Sequence, residues 1–294
     1  MLSNFEQAFK NNFFLTKEYI SFCSIITNIK LNEQDLNDNR LYFLKNKNVS
    51  VNCYDEENKK FFREKNISFM SVLPEINKNS NNPSFFEYPI IFKTSYEQAY
   101  KNYKTSFSNG LREGKKFPHK LEIFDNVENN LLNSIYNIYK KQMKRHNSFI
   151  FPISYFHELM KIENSKLFTI NYENNIIAYF FCFEYKDNFY VSIGGGNPDY
   201  FNYKPSNKLY DEVIRYACDK NLNIHLGIGE YNASYSKFKE NVGAISFKCE
   251  RFPDDKKLLS FTVPLLKFRL TGITLNLLSK IMPRKVLYLS MPFT

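Results

Sequence analysis

FNYKPSNKLYDEVIRYACDKNLNIHLGIGEYNASYSKFKENVGA, residues Phe201–Ala244, decides the fold. Leu209, Val213 and Ala217 recur every four residues, with Tyr210 and Ile214 beside them, while Asp211, Glu212, Arg215 and Asp219 fall opposite. That spacing predicts an amphipathic helix starting near Pro205–Ser206. NIHLGIG reads as a buried strand ending in glycine, and ASYSKFKENVGA as a short helix closed by Gly243. A helix start offers unpaired N–H groups and the positive end of a dipole, which suits phosphate. Lys204 and Lys208 add charge there, and Ser206 and Asn207 add hydrogen-bonding groups. An ordinary solvated cap has the same composition, and no GxxxxGK[ST] or GxGxxG motif is present.

Upstream, KLFTINYENN, IIAYFFCFEYKD and NFYVSIGGGN are apolar or alternating runs separated by Asn- and Asp-rich turns, which predicts an antiparallel meander. Its last strand runs into Gly194, Gly195 and Gly196, which serve either a bulge or turn or the close approach of another group. Before the meander, LLNSIYNIYKKQMKRH and PISYFHELMKI read as amphipathic helices and HKLEIFD as a strand. SYEQAYKNYKTSFSNGLREGKK reads as helix broken near Gly110, IIFKT as a strand, and NKNSNNPSFFEYP (Asn77–Pro89) as an exposed loop. LYFL and VSVNCY, nearer the N-terminus, are short apolar runs expected of mixed α/β structure.

At 294 residues and 43% hydrophobic composition, the chain can bury a core and accommodates two domains. The five cysteines form no CxxC pair and no zinc-ligand spacing, so inert buried thiols in a reducing compartment are expected, with no metal site. The N-terminus lacks the charged and apolar regions of a signal peptide, and no run reaches the ~18 apolar residues of a membrane span. The formal net charge is +10, but Lys256 onwards holds seven basic residues and no acidic one, leaving +3 for the other 255 residues. A basic, Leu-rich tail points to an anionic membrane surface before a nucleic acid. Leu266, Leu270, Ile273, Leu277 and Ile281 line one helical face of that tail.

The order strand, phosphate-competent helix start, strand, Tyr-containing helix closed by Gly resembles the core of the GNAT superfamily of acyltransferases. The motif Phe238-Lys239 with Gly243 and Ala244 after the last core strand is similar to the FemAB-like branch, where two GNAT-type domains are fused. SFSNGLREGKK, ahead of the YNIYKKQMKRH helix, looks like the basic helix opening the second domain of that branch, and the likeness covers roughly Tyr96–Arg251. It implies an α/β (α+β) fold: a degenerate N-terminal domain over 1–95, an acyltransferase domain over 96–255, and the tail 256–294. Each domain would hold a mixed, mostly antiparallel sheet flanked by helices. Two central parallel strands, here Phe189–Gly196 and Asn223–Gly229, would splay to admit an acyl-pantetheine arm. The pyrophosphate of acetyl-CoA or another acyl-CoA would sit at Lys204, Ser206, Asn207 and Lys208, with Lys239 in the donor-binding set. Backbone N–H groups at Gly194, Gly195 and Gly196 would meet the thioester carbonyl.

Attack by an amine needs a base to take its proton. Glu230, just past the second strand, is the first candidate and His225 the second; His225 also fits a core histidine, and it stands where the branch often has an acidic residue. Tyr235 is the candidate donor to the leaving thiolate, by likeness to GNAT enzymes. The function this implies is N-acylation, or less readily O-acylation, of an amino sugar or glycolipid in bacterial surface glycan assembly. The enzyme would be cytoplasmic, or peripheral on the inner membrane face through the tail. Two alternatives stand beside it: aminoacyl transfer from charged tRNA as in Fem peptidoglycan ligases, although no long coiled-coil arm is visible, and a non-catalytic membrane-associated scaffold.

Overall fold

The computed structural model describes residues 50–53, 60, 63–64, 68–76, 86–146, 150, 153–161, 164–185, 187–231 and 233–252. LYFL and the basic tail 256–294 lie outside them. Three strands come first: β1 (Ser50–Cys53), β2 (Ser68–Ile76) and β3 (Phe86–Ile91). Two short helices follow, α1 (Tyr96–Lys101) and α2 (Thr105–Gly114), then β4 (Lys120–Phe124), α3 (Asn129–Arg145) and α4 (Ile153–Met160). The meander is β5 (Ser165–Tyr172), β6 (Asn175–Tyr185) and β7 (Asn188–Gly196). A 3-10 turn (Pro198–Tyr203) leads into α5 (Pro205–Asp219), followed by β8 (Asn223–His225), β9 (Gly229–Glu230), α6 (Ser234–Asn241) and β10 (Ile245–Phe252).

These strands form one mixed sheet in the order β1-β2-β10-β3-β8-β7-β6-β5-β4, with β9 also paired to β3. Only β1–β2 and β7–β8 are parallel among the described pairs. The boundary expected at 95/96 falls between β3 and α1, and β3 is hydrogen-bonded to β8 and β10 from beyond that boundary.

The sheet alternation sends β-strand residues to two faces. One face packs Phe168, Ile170, Ala178, Phe180, Phe189 and Val191 under α1, α2, α5 and α6. The other packs Leu167, Tyr179, Phe181, Tyr190 and Ile193 under α3 and α4. Cys182, Cys218 and Cys249 are buried and form no disulfide with one another. On the first face Asp211 is fully buried and its Oδ1 accepts from the hydroxyls of Tyr96 (2.6 Å) and Tyr103 (3.1 Å), tying α1 to α5.

Three local expectations change. The loop foreseen over Asn77–Pro89 gives way to strand from Phe86, because β3 lies between two partners and the Pro89 carbonyl accepts from Leu226 N–H (3.0 Å). The helix break lies at Asn102–Lys104 and not at Gly110. Gly110 sits inside α2 because α5 passes there: a β carbon would lie 2.5 Å from Asn207 Nδ2. The strand over Asn223–Gly229 is two pieces, since the chain turns at Gly227 (φ +75°) to follow β3.

Candidate active site

The site is a fork in the sheet. β7 and β8 run parallel for only three pairs, Asn188↔Asn223, Phe189↔Ile224 and Tyr190↔His225. Beyond them β7 continues to Gly196 on β6 alone, while the other arm crosses to β3 through Glu87↔Gly229 and Phe86↔Glu230. The arms are still close at Val191 and Gly227, where a β carbon on the glycine would be 3.3 Å from the Val191 carbonyl. A bulge at Ser192, between the pairs Cys182↔Val191 and Phe181↔Ile193, shifts the register of β7 just past this point.

The bulge fixes which way the glycine N–H groups turn. In an antiparallel ladder alternate residues exchange both hydrogen bonds with their partner. Asn197 N–H donates to Ile177 O at 2.8 Å, so Asn197 and Gly195 address β6. Gly194 and Gly196 therefore turn their N–H groups away from β6, toward the open side of the fork. Each glycine is also demanded by packing. A β carbon at Gly194 would lie 2.1 Å from Phe180 Cδ1, at Gly195 1.9 Å from Gln142 Oε1, and at Gly196 2.9 Å from Phe201 Cε1.

The open end of β7 meets the start of α5. Gly196 lies against Ser206, whose Oγ would be 3.1 Å from an added β carbon. Lys204 precedes the helix in the left-handed region (φ 54°) and is exposed. The remaining expected phosphate ligands are engaged within the fold. Asn207 is buried and its Nδ2 donates to Phe107 O (3.3 Å), and Lys208 forms an ion pair with Glu212 one turn on. Helix α2 covers this start, Gly110 against Asn207 and Gly114 against the Lys204 carbonyl.

On the other arm, the expected roles separate. Glu230 sits in β9 opposite Phe86 through its backbone, and its side chain lies outside the described residues. Tyr235 packs its ring edge on Gly229, which admits α6 closely because Ser236 Oγ would be 2.3 Å from a β carbon there. Lys239 is buried and its Nζ donates to the Gly227 carbonyl (3.2 Å), at the residue where the arm turns away. Burial lowers the Lys239 ammonium to about 8, against the pull of Glu87.

The chain of α/β elements and this fork match a known architecture. Residues 101–240 match the family model of the acetyltransferase (GNAT) domain. Residues 101–240 are a GNAT-type domain, set in a FemAB-like fold. Among solved structures it is similar to FemX, with a TM-score of 0.51 and 9% identity over 70% of this chain and 70% of that one. It is equally similar to the C-terminal DUF2156 domain of a putative lysylphosphatidylglycerol synthetase from Agrobacterium fabrum. That match has a TM-score of 0.51 and 10% identity over 72% of this chain and 81% of that one. No curated protein sequence matches. The GNAT domain makes the protein an acyltransferase of the GNAT type, working on an acyl donor and an acceptor.

Within the GNAT fork, His225 closes the paired end. Its ring stacks on Tyr190 (centroids 4.5 Å apart, 26°) and stands 5.6 Å from the Tyr88 ring. Burial pushes its pKa down to about 3. A ring that resists protonation this strongly is a weak base. Two residues that pattern reading passed over order it: Asn188, read as a turn residue, lies 2.9 Å from His225 Nε2 through its Oδ1, and Asn223, read only as the first residue of the strand, donates to that same oxygen. Among the described residues no group of His, Cys, Asp or Glu could hold a metal, and no helix is long and apolar enough to cross a membrane.

Proposed function

We propose that this GNAT protein transfers an acyl group from acyl-CoA to the amine of an amino sugar or sugar-lipid during surface glycan assembly. The adjacency of Gly196 and Ser206 carries this reading: a strand end with outward N–H groups abuts a helix start. A thioester carbonyl at the first and phosphates at the second belong to one ligand. The amine nitrogen bonds to the carbonyl carbon, and Gly194 and Gly196 N–H groups stabilise the oxyanion. Glu230 takes the amine proton, and the C–S bond breaks as Tyr235 protonates the leaving thiolate. Lys204 and Ser206 are the phosphate ligands open to a donor, while Lys208 and Asn207 join only by leaving Glu212 and Phe107. The domain division at 95/96 and an anionic membrane surface met by the tail 256–294 belong to the same reading, the tail bringing the enzyme to a lipid-linked acceptor.

A second reading has its own support. Arg145 lies over the Phe201 ring of the 3-10 turn at 4.8 Å, and exposed Lys204 ends that turn against Gly114 of α2. Basic groups interleaved with aromatics suit a single-stranded RNA end, and the cover of α2 over the helix start narrows the room for a CoA pyrophosphate. The acyl group would then come from charged tRNA as an ester. Calorimetry with acetyl-CoA decides between them: micromolar binding supports the first reading, and none at millimolar ligand, with transfer from aminoacyl-tRNA, moves the function to the second. A thioester identified by mass spectrometry in the purified protein would name the acyl group.

A further inference from the structure

The tautomer of His225 is fixed from the main chain outward. Lys93 N–H donates to Asn223 Oδ1 (3.1 Å), which turns the Asn223 amide nitrogen toward Asn188. Asn223 Nδ2 then donates to Asn188 Oδ1 (3.1 Å), so the Asn188 atom facing this cluster is its oxygen. His225 Nε2 is 2.9 Å from that oxygen and must carry the hydrogen. Its Nδ1 is left as a bare lone pair, closed to solvent and without a partner.

The lone pair lies on one side of the fork. His225 stacks on Tyr190, which belongs to the face under α3 and α4, whereas its neighbours Ile224 and Leu226 belong to the α5 face. Two more polar atoms on the α3/α4 face are buried without partners: the Tyr179 hydroxyl, on the β6 residue opposite Gly195, and Gln142 Oε1, which rests on Gly195. The α5 face, by contrast, presents donors, the helix start and Ser206. An unsatisfied buried acceptor costs about 1–3 kcal/mol, and a ligand that donates a hydrogen bond removes the cost.

We propose that the nucleophile enters the fork on the α3/α4 face, and that His225 Nδ1 accepts its N–H or O–H hydrogen bond and orients it without taking the proton. The class of ligand is a neutral amine or hydroxyl compound, since both His225 Nδ1 and Gln142 Oε1 seek a donor. Tyr88, Tyr190 and Asn188 surround the ring, and none of these side chains carries a charge at neutral pH to draw an ammonium form. This rests on the acyl-transfer reading of the fork and adds the acceptor's side and contact.

Imidazole 15N NMR on the full chain, with glucosamine as the probe, tests it. The expected spectrum holds His225 in the neutral Nε2–H tautomer from pH 5 to 8, and millimolar glucosamine shifts its Nδ1 resonance. His225→Gln keeps a group able to donate to Asn188 and lacks Nδ1. It should weaken glucosamine binding about fivefold to tenfold, the worth of one neutral hydrogen bond, and leave acetyl-CoA affinity within about twofold. His225→Asn, which restores an amide oxygen near the Nδ1 position, should recover part of the glucosamine affinity. A midpoint near the ordinary histidine value, the other tautomer, or an Nδ1 resonance indifferent to glucosamine overturns the proposal. Failure of the donor reading shows separately, as absence of acetyl-CoA binding.

Discussion

Gly196 and Ser206 are in contact across the turn between β7 and α5: a β carbon on the glycine would lie 3.1 Å from the serine Oγ. A donor whose carbonyl meets the strand end and whose phosphates meet the helix start crosses this contact. Gly196→Ala places a methyl in it. The other near neighbour, Phe201 Cε1 at 2.9 Å, is the edge of a half-buried ring on the turn and can yield. The variant should therefore fold, with acetyl-CoA affinity down about tenfold or more by calorimetry. Wild-type affinity would place the donor elsewhere.

Gly194 and Gly195 separate by what blocks them. At Gly194 an added β carbon meets the Tyr179 carbonyl at 2.3 Å as well as Phe180, and backbone in a ladder cannot step aside. At Gly195 all three nearest atoms belong to the Gln142 carboxamide, the far end of a flexible side chain. Gly194→Ala should cost about 3 kcal/mol or more, and Gly195→Ala about 1 kcal/mol. Gln142→Ala should remove the Gly195→Ala penalty and leave that of Gly194→Ala untouched. Urea denaturation of the three single and two double variants reads the difference; equal penalties would mean that the glycines are required for backbone conformation and not for space.

The helices and the meander were legible because their periodicities are local. Leu132, Tyr139 and Met143, for example, are buried on α3 as the spacing in LLNSIYNIYKKQMKRH predicts. The start of α5 at Pro205 was legible for the same reason. What escaped depends on partners distant in sequence. Gly110 looks like a helix breaker until α5 is seen to pass 97 positions later in the chain at Asn207. The division of NIHLGIG into two strands depends on β3, which draws Gly229 and Glu230 away. Lys208 looked like a free phosphate ligand because the sequence shows a cation near a helix start, whereas Glu212 one turn on already holds it. Glu212 was in plain view at i+4, and that pairing was the signal to weigh.

Acid should expose the buried state of His225. Its pKa falls to about 3 in the fold from an ordinary 6.5, so the unfolded chain takes a proton between those values and the folded chain does not. Stability therefore declines as pH falls through 6.5 and continues to decline until about pH 3. Between pH 7 and 5 the wild type should lose about 2 kcal/mol relative to His225→Gln, which has no such group. Paired denaturation curves at the two pH values check this. A pH-independent difference would show that the ring is open to water.

Lys239 gives the opposite window. Burial lowers its ammonium to about 8 from 10.5, against the pull of Glu87 on β3, so above pH 8 the folded chain releases a proton that the unfolded chain retains until about 10.5. The unfolded state then binds more protons, and stability should rise with pH across that interval. Relative to Lys239→Met, which fills the same space without charge, the wild type should gain up to about 3 kcal/mol between pH 8 and 10.5. The ammonium also donates to the Gly227 carbonyl, at the turn that opens the fork. Deprotonation leaves an amine that donates more weakly, so donor affinity should fall over the same interval in which stability climbs. Lys239→Met should show low affinity at every pH. Calorimetry with acetyl-CoA at pH 7 and 9.5 separates this from direct contact with phosphate. If the lysine touches phosphate, bound acetyl-CoA holds its proton and moves the loss of affinity to higher pH. If it acts through Gly227, the loss centres near pH 8.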